Sequence, residues 1–175
     1  MEWLVRRATQ ADVPALARVN VEAWRNAYRG IVPDSFLDGM DVERRERGWA
    51  RWVALPPPDA VFVATGDGDD VVAYCGVSAV REATDAHPML PTGELQAIYA
   101  LPTVLGGGAG HAVHEAGLVS LAEAGFRHVV LWVFEDNLIA RRFYERHGWS
   151  SDGVRDVFEV GDARPMEVRY SRRLP

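Results

Sequence analysis

Lysine is absent from all 175 residues, so each of the 19 basic side chains is arginine. A nucleotide-triphosphate loop closing on Gly-Lys-Ser/Thr is therefore excluded. With the high alanine, glycine, valine and proline content, this usage reflects a GC-rich genome and carries no mechanism. Cysteine is nearly absent too. The single Cys75 excludes an internal disulfide and a multi-cysteine metal site. Its setting, the apolar run VVAYCGVSAV, predicts a buried and inert thiol. No apolar run approaches the roughly 18 residues of a membrane-spanning helix. The opening MEWLVRRATQAD lacks the apolar core of a secretory signal. A soluble cytoplasmic protein with no membrane partner is expected. Positive charge is also short: the net charge of −6 and pI near 5.4 argue against a nucleic-acid partner, which needs a basic face. The acidic surplus suits amines, and equally suits an ordinary soluble surface.

What is present reads as one domain over residues 1–175, with enough apolar content to bury a core. A short strand is expected at 4–8. Thr9 and Asp12 then form a helix start, and Val13, Leu16, Ala17, Asn20, Trp24, Ala27 and Tyr28 recur at helical spacing up to Gly30. Residues 31–34 read as a turn. Asp41 caps a second helical stretch that three prolines, Pro56 to Pro58, end. Residues 60–64 and 71–77 are β-rich and flank Gly66-Asp67-Gly68-Asp69-Asp70, a hairpin loop lacking the ligand spacing of a calcium loop. Residues 81–92 form a polar loop in which His87 has no evident partner. Strands at 94–101 and 128–133 bracket a central helix; a helix at 137–147 ends at Gly148, and strands near 155–160 and 166–171 finish the chain. Trp24, Tyr28, Trp49 and Trp52 sit at helical spacing, which predicts core packing first and cleft lining second.

The chemistry concentrates between Gly93 and Trp149. Leu105-Gly106-Gly107-Gly108-Ala109-Gly110 joins a strand to a helix, where consecutive glycines let backbone N–H groups converge beside a helix N-terminus. Phosphate or pyrophosphate suits such a loop, although the glycines alone are equally consistent with an unliganded turn. A dinucleotide fingerprint fails because His111 stands where its third glycine belongs.

The later residues are more specific. Glu135-Asp136-Asn137-Leu138-Ile139-Ala140-Arg141-Arg142-Phe143-Tyr144-Glu145-Arg146-His147-Gly148-Trp149 resembles the N-x-x-A-x-x-F-Y-x-x-x-G-[FW] signature of the GNAT superfamily of acyl-CoA-dependent N-acyltransferases. The glycine cluster falls where that superfamily has its Q/R-x-x-G-x-G/A pyrophosphate loop. Trp24, Ala27-Tyr28-Arg29-Gly30 and Pro33 also resemble bacterial members. The resemblance implies an α/β (α+β) fold: a mixed, mostly antiparallel sheet of about seven strands with about four helices, splayed between the fourth and fifth strands. It implies acetyl-CoA as co-substrate, with no metal, and a small-molecule primary amine as acceptor. A homodimer is compatible with it. A protein N-terminus as acceptor, or a non-catalytic acyl-CoA-binding protein, are the alternatives.

By the same resemblance, backbone at Ile98, Tyr99 and Ala100 would pair with the pantetheine arm and stabilise the oxyanion. The loop Leu105, Gly106, Gly107, Gly108, Ala109, Gly110 and His111 would hold the pyrophosphate. Asn137, Ala140, Arg141 and Tyr144 would contact the cofactor from the following helix. The family's loop glutamine or arginine falls on Leu105 and a frequent arginine on Gly107, so backbone donors and arginines elsewhere, such as Arg141, would carry the anion. Tyr144 is the candidate acid for the thiolate. An alkylamine of pKa about 10.4 is only about one part in a thousand neutral at pH 7, roughly 4–5 kcal/mol of barrier, so a base is needed. Glu94 is its candidate; Glu82, Asp85 and His111 are weaker ones.

Overall fold

The computed structural model describes residues 3–66 and 68–175; Asp67 of the acidic hairpin loop and the first two residues of the opening segment lie outside them. Seven strands form one sheet: β1 (Leu4–Arg7), β2 (Ala60–Thr65), β3 (Val71–Ala79), β4 (Thr92–Ala100), β5 (His128–Phe134), β6 (Ser150–Val157) and β7 (Met166–Arg173). Their order across the sheet is β1-β2-β3-β4-β5-β7-β6. Every neighbouring pair is antiparallel except β4 and β5. This is the mixed sheet that the sequence resemblance implied.

The helices are α1 (Val13–Ala27), α2 (Asp34–Asp38), α3 (Val42–Val53), α4 (Ala109–Glu123) and α5 (Leu138–Arg146). The short α2 follows the expected turn and was not foreseen: with Pro33 as its N-cap, it is a single turn too brief to show a periodic pattern. The last hairpin differs as well. Its first strand begins at Ser150, immediately after Trp149, not near Arg155. All eight of its residues are exposed, so no apolar alternation marks it.

Helices cover both faces. Val113, Leu118 and Leu121 of α4 and Tyr144 of α5 pack with Cys75, Leu131, Val133 and Tyr170 on one side. Leu16, Ala17 and Val19 of α1 and Trp49 of α3 pack with Val61, Val63 and Tyr74 on the other. The Cys75 thiol lies fully buried, and burial raises its pKa, so it stays protonated. Helix α4 buries Ala109, Val113, His114, Gly117 and Leu118, with Ala112 and Ala116 only partly covered.

Two local devices fix the α1–α3 side. Asp12 receives both ends of the Arg6 guanidinium at 2.8 Å and the Thr9 N–H at 2.7 Å. The Arg6 hydrogen bonds, reinforced by Thr9, lower its pKa from 3.8 to about 2. At Gly76 the bare backbone admits the Trp52 indole, which stacks on Trp49 at 5.1 Å; a Cβ there would lie 2.2 Å from Trp52 Cη2.

Asp12→Ala should therefore cost about 2–3 kcal/mol in urea unfolding near pH 7, the range for lost charge-assisted hydrogen bonds. Because the folded pKa of Asp12 is depressed, its contribution is complete above about pH 4. It disappears as pH falls toward about 2, so mutant and wild-type stabilities should converge there. Gly76→Ala should unstack Trp52 and cost about 1–3 kcal/mol, read as a lower Tm with altered tryptophan fluorescence.

Candidate active site

Parallel pairing of β4 with β5 lasts only three positions, Thr92 with His128, Gly93 with Val129 and Glu94 with Val130. Beyond Glu94 the strands part. On its other side β4 stays paired with β3 as far as Ala100, through a bulge where Gln96 is the extra residue. The Gln96 amide is held there by a short hydrogen bond to Ser78 Oγ. After the bulge, Ile98 and Ala100 pack with the α4 cluster, while Ala97 and Tyr99 pack with the α1 cluster. The β5-facing edge of β4 is consequently left open along a cleft of about 980 Å³.

One mouth of this cleft is the glycine loop. Gly106 and Gly108 take φ values of +77° and +90°, which side-chain-bearing residues rarely adopt, and Gly108 caps α4. The N–H groups of Gly106, Gly108, Ala109, Gly110 and His111 find no acceptor among the described residues. Together with the start of α4 they form a cluster of free donors suited to an anion. Leu105, Gly106, Gly108, Gly110 and His111 line the cleft. Gly107 and Ala109 do not: the Gly107 carbonyl instead accepts from Trp3 Nε1 at 2.7 Å, and Ala109 is buried beneath the loop. Trp3 thereby ties the loop to the start of β1, a contact that no local pattern announced.

Helix α5 faces the loop across the cleft. Asn137 caps it, accepting the Ala140 N–H at 3.1 Å; Asn137, Ala140 and Tyr144 all line the cleft. Tyr144 is 6% exposed, and its hydroxyl has no hydrogen-bond partner among the described residues. Burial raises its pKa, which keeps the phenol protonated. Arg141 is committed elsewhere: it donates to Tyr170 Oη at 3.0 Å and to the Glu135 carbonyl at 2.9 Å, and it does not line the cleft. The arginine of α5 that does line it is Arg146.

Beside Arg146 lies a histidine group. His147 Nδ1 donates to the Phe143 carbonyl at 2.7 Å, which leaves its Nε2 to accept from His111 Nδ1 at 2.9 Å. Donor atoms of His111, His114 and Glu115 lie within 4.8 Å of one another. His114, however, is fully buried with both ring nitrogens engaged, Nε2 by Trp149 and Nδ1 by Glu115. Burial, partly offset by Glu115, pushes its pKa down to about 4, so it is a neutral structural residue.

The α1 side of the cleft is aromatic and acidic. Trp24, Tyr28 and Tyr99 line it, with the Tyr28 and Tyr99 hydroxyls 2.7 Å apart. Trp49 and Trp52 instead fill the core beneath α3. Glu94 also lines the cleft, but only 3% of it is exposed. Its carboxylate accepts three hydrogen bonds from Arg81: from Nη2 at 2.6 Å, and from Nε and the backbone N–H at 3.2 Å. Asp85, buried, accepts from Trp132 Nε1 at 2.9 Å and from Arg169 at 2.7 Å. Glu82 is exposed at the rim.

A further carboxylate escaped the sequence reading. Glu167 on β7 lines the cleft opposite Phe134, and burial, with Asp156 adding to it, pushes its pKa up to about 7. The only local signal was its polar side chain between Met166 and Val168 in a strand; its place beside the gap comes from the β5–β7 register.

Comparison with known proteins agrees with this geometry. The model of the acetyltransferase (GNAT) family matches residues 21–149. An uncharacterized N-acetyltransferase, YuaI, of Bacillus subtilis is 30% identical over 165 residues, covering 94% of this chain and 89% of that one. Mycothiol acetyltransferase of Geodermatophilus obscurus is 39% identical over 158 residues, and the match takes in 51% of that longer protein. Among solved structures, the PaiA N-acetyltransferase of Thermoplasma acidophilum in complex with coenzyme A superposes with a TM-score of 0.75 at 15% identity, covering 99% of both chains. The ribosomal-protein-alanine N-acetyltransferase of Brucella melitensis gives 0.75 at 20% identity, over 98% of this chain and 99% of that one. The extent of the family match and the near full-length relative establish that the chain belongs to the acetyltransferase (GNAT) family.

Proposed function

We propose that this protein transfers an acetyl group from acetyl-CoA to a primary amine on a small molecule, by direct attack of the amine on the thioester. The observation that carries the reading is the parting of β4 from β5 at Glu94, with the free N–H groups of the glycine loop at one mouth and Tyr144 on the wall. An extended pantetheine arm matches an open strand edge, because Leu95 to Ala100 can pair with it as β5 would have done. A pyrophosphate matches the donors of residues 106–111, with Arg146 and His111 as the side chains nearest in kind. Leu105, 59% exposed, offers no charge, so the backbone carries most of this contact.

The same cleft supports an amine as acceptor. Trp24, Tyr28, Tyr99 and Phe158 offer apolar and π surface, and Asp85, Glu94 and Glu167 supply negative charge around them. In this reading backbone N–H groups near Ile98–Ala100 stabilise the oxyanion, and the phenol of Tyr144 protonates the departing thiolate. A carboxylate of the α1 side takes the proton that the ammonium must lose.

Calorimetry with acetyl-CoA and CoA, followed by thiol release over a panel of primary amines, tests the assignment. Absence of CoA binding would reject it, and binding without thiol release on every amine would favour a non-catalytic acyl-CoA-binding protein. Tyr144→Phe should lower kcat roughly 10- to 100-fold while the Kd for CoA stays within about twofold. Unchanged turnover would remove Tyr144 from the mechanism.

A further inference from the structure

Of the carboxylates lining the acceptor side, three are already spoken for. Asp85 holds Trp132 and Arg169, and Arg169 also bonds Asp152 at 2.7 Å. Glu94 accepts three hydrogen bonds from Arg81. Asp156 is exposed, and its Oδ1 accepts the Val157 N–H at 2.7 Å. Glu167 is different. It is half-buried and, among the described residues, has neither a salt bridge nor a side-chain hydrogen bond. Partly withdrawing a carboxylate from water, with no protein partner in return, carries a cost that structural packing does not repay. A carboxylate in that condition on the wall of a cleft is what a proton-transfer site requires.

Sheet register sets its position. Glu167 is the direct partner of Phe134, the last residue of β5, and of Asp156 on β6. Extending the β4–β5 register that pairs Glu94 with Val130 brings Phe134, and Glu167 beside it, level with Ile98–Ala100, where the strands have separated. Direct partners point to the same face of a sheet. Phe134 packs against Tyr28 of α1, with ring centroids 4.9 Å apart, so Glu167 also faces the α1 side. Tyr144 comes from α5 with Val133, Val168 and Tyr170 on the opposite face. The gap is thus flanked by an unpaired carboxylate on one face and a protonated phenol on the other.

We propose that Glu167 is the proton acceptor of the acetyl transfer, while Glu94, clamped by Arg81, is a positioning residue. This rests on the acetyl-CoA reading given above. The acceptor arrives as an ammonium and loses one proton to the Glu167 carboxylate, which exposes the nitrogen lone pair. The nitrogen forms a bond to the thioester carbonyl carbon, and the C–S bond breaks with its electron pair leaving on sulfur. Tyr144 gives its phenolic proton to the thiolate and is reprotonated by the second proton that nitrogen sheds as the amide forms. Amide, CoA thiol and one proton, released from Glu167 to solvent, are the products.

The electrostatic setting agrees. Burial and the neighbouring Asp156 raise the Glu167 pKa to about 7, and Arg81, on the segment after β3, partly opposes them. Tyr28 of α1 and Tyr99 of β4 face it as neutral phenols, both with pKa values raised chiefly by burial. Glu94 and Asp85 face the same cleft with their charges matched by Arg81 and Arg169. An acceptor poised near neutrality transfers protons most efficiently at physiological pH.

The test compares Glu167→Gln, Glu167→Asp and Glu94→Gln with the wild type, using the best acceptor from a primary-amine panel and CoA alone in calorimetry. Glu167→Gln should raise Tm slightly at pH 7, because it removes a carboxylate whose ionisation weakens the fold, and keep the Kd for CoA, while kcat/KM for the amine falls about 100-fold at that pH. The acidic limb of the wild-type profile, centred near pH 7, should vanish, and the deficit should shrink as pH approaches the pKa of the amine, where free amine needs no base. Glu167→Asp should recover part of the rate, and Glu94→Gln should keep the limb. A Glu167→Gln enzyme with wild-type rate and limb, a deficit that does not change with pH, or loss of the limb in Glu94→Gln would each overturn the assignment. A wild type that binds no CoA, or releases no thiol with any amine, would instead bring down the acetyl-transfer reading, and the base assignment with it.

Discussion

The structure depends on one limited agreement between two strands. β4 and β5 share three positions of parallel pairing and then separate, although each stays paired with its outer neighbour. β4 carries a bulge at Gln96 in its pairing with β3, while the β5–β7 pairing runs without a register shift. Unpaired backbone along a strand edge carries a cost only if it is shut away from water, and an open cleft keeps this edge within reach of solvent or of an extended ligand. Here the gap is bordered by aromatic rings on one face and by α4 and α5 on the other, so it persists as a cleft rather than collapsing. The glycine loop sits at its mouth because β4 runs directly into the turn that starts α4.

Charge on the acceptor side follows from the same geometry. Arg81 neutralises the buried Glu94, and Arg169 neutralises the buried Asp85 together with the exposed Asp152. Such matching is what a low-dielectric wall demands. Glu167 is left out. Its folded pKa, about 7, lies above the ordinary 4.5, so folding favours its protonated form. By linkage it withdraws stability as pH rises from about 4.5 through about 7, the reverse of the Asp12 effect. A group that weakens the fold over the working pH range, when glutamine would fit the same space, is explained more readily by chemistry than by packing.

The fold, the glycine loop and the cleft-lining helix α5 were legible in the sequence because each is written locally. The glycine run, the Asn137 cap and the Ala140, Phe143 and Tyr144 spacing lie within short stretches, and each is placed by the element that contains it. Elements with no periodic signature were harder: one-turn α2 and wholly exposed β6 offer no alternation to read. The acceptor side was largely illegible. Glu94 could be noticed from its distance to the loop, but its capture by Arg81 depends on how the segment after β3 folds back. Glu167 sits beside the gap only through a strand register set by residues 30 to 40 positions away in the chain. Trp24 and Tyr28 show the same limit, because helical spacing cannot tell a core wall from a cleft wall.

These two kinds of legibility reflect a division of labour. In the proposed reaction the donor side would act through backbone: free N–H groups, a helix start and an open strand edge, with Leu105 and Gly107 contributing no charge. Arg141, which motif position would assign to the anion, is spent on Tyr170 and Glu135, holding α5 to β7. Backbone groups cannot be altered by substitution, so this half tolerates changes in side chain provided the turn survives. The acceptor side would act through side chains drawn from α1, β4, the segment after β3, and β7, each of which can change without the others. A donor half built on backbone, joined to an acceptor half built on side chains, would let a fold match at 15% identity persist while the acceptor differs, so the acceptor has to be found by experiment.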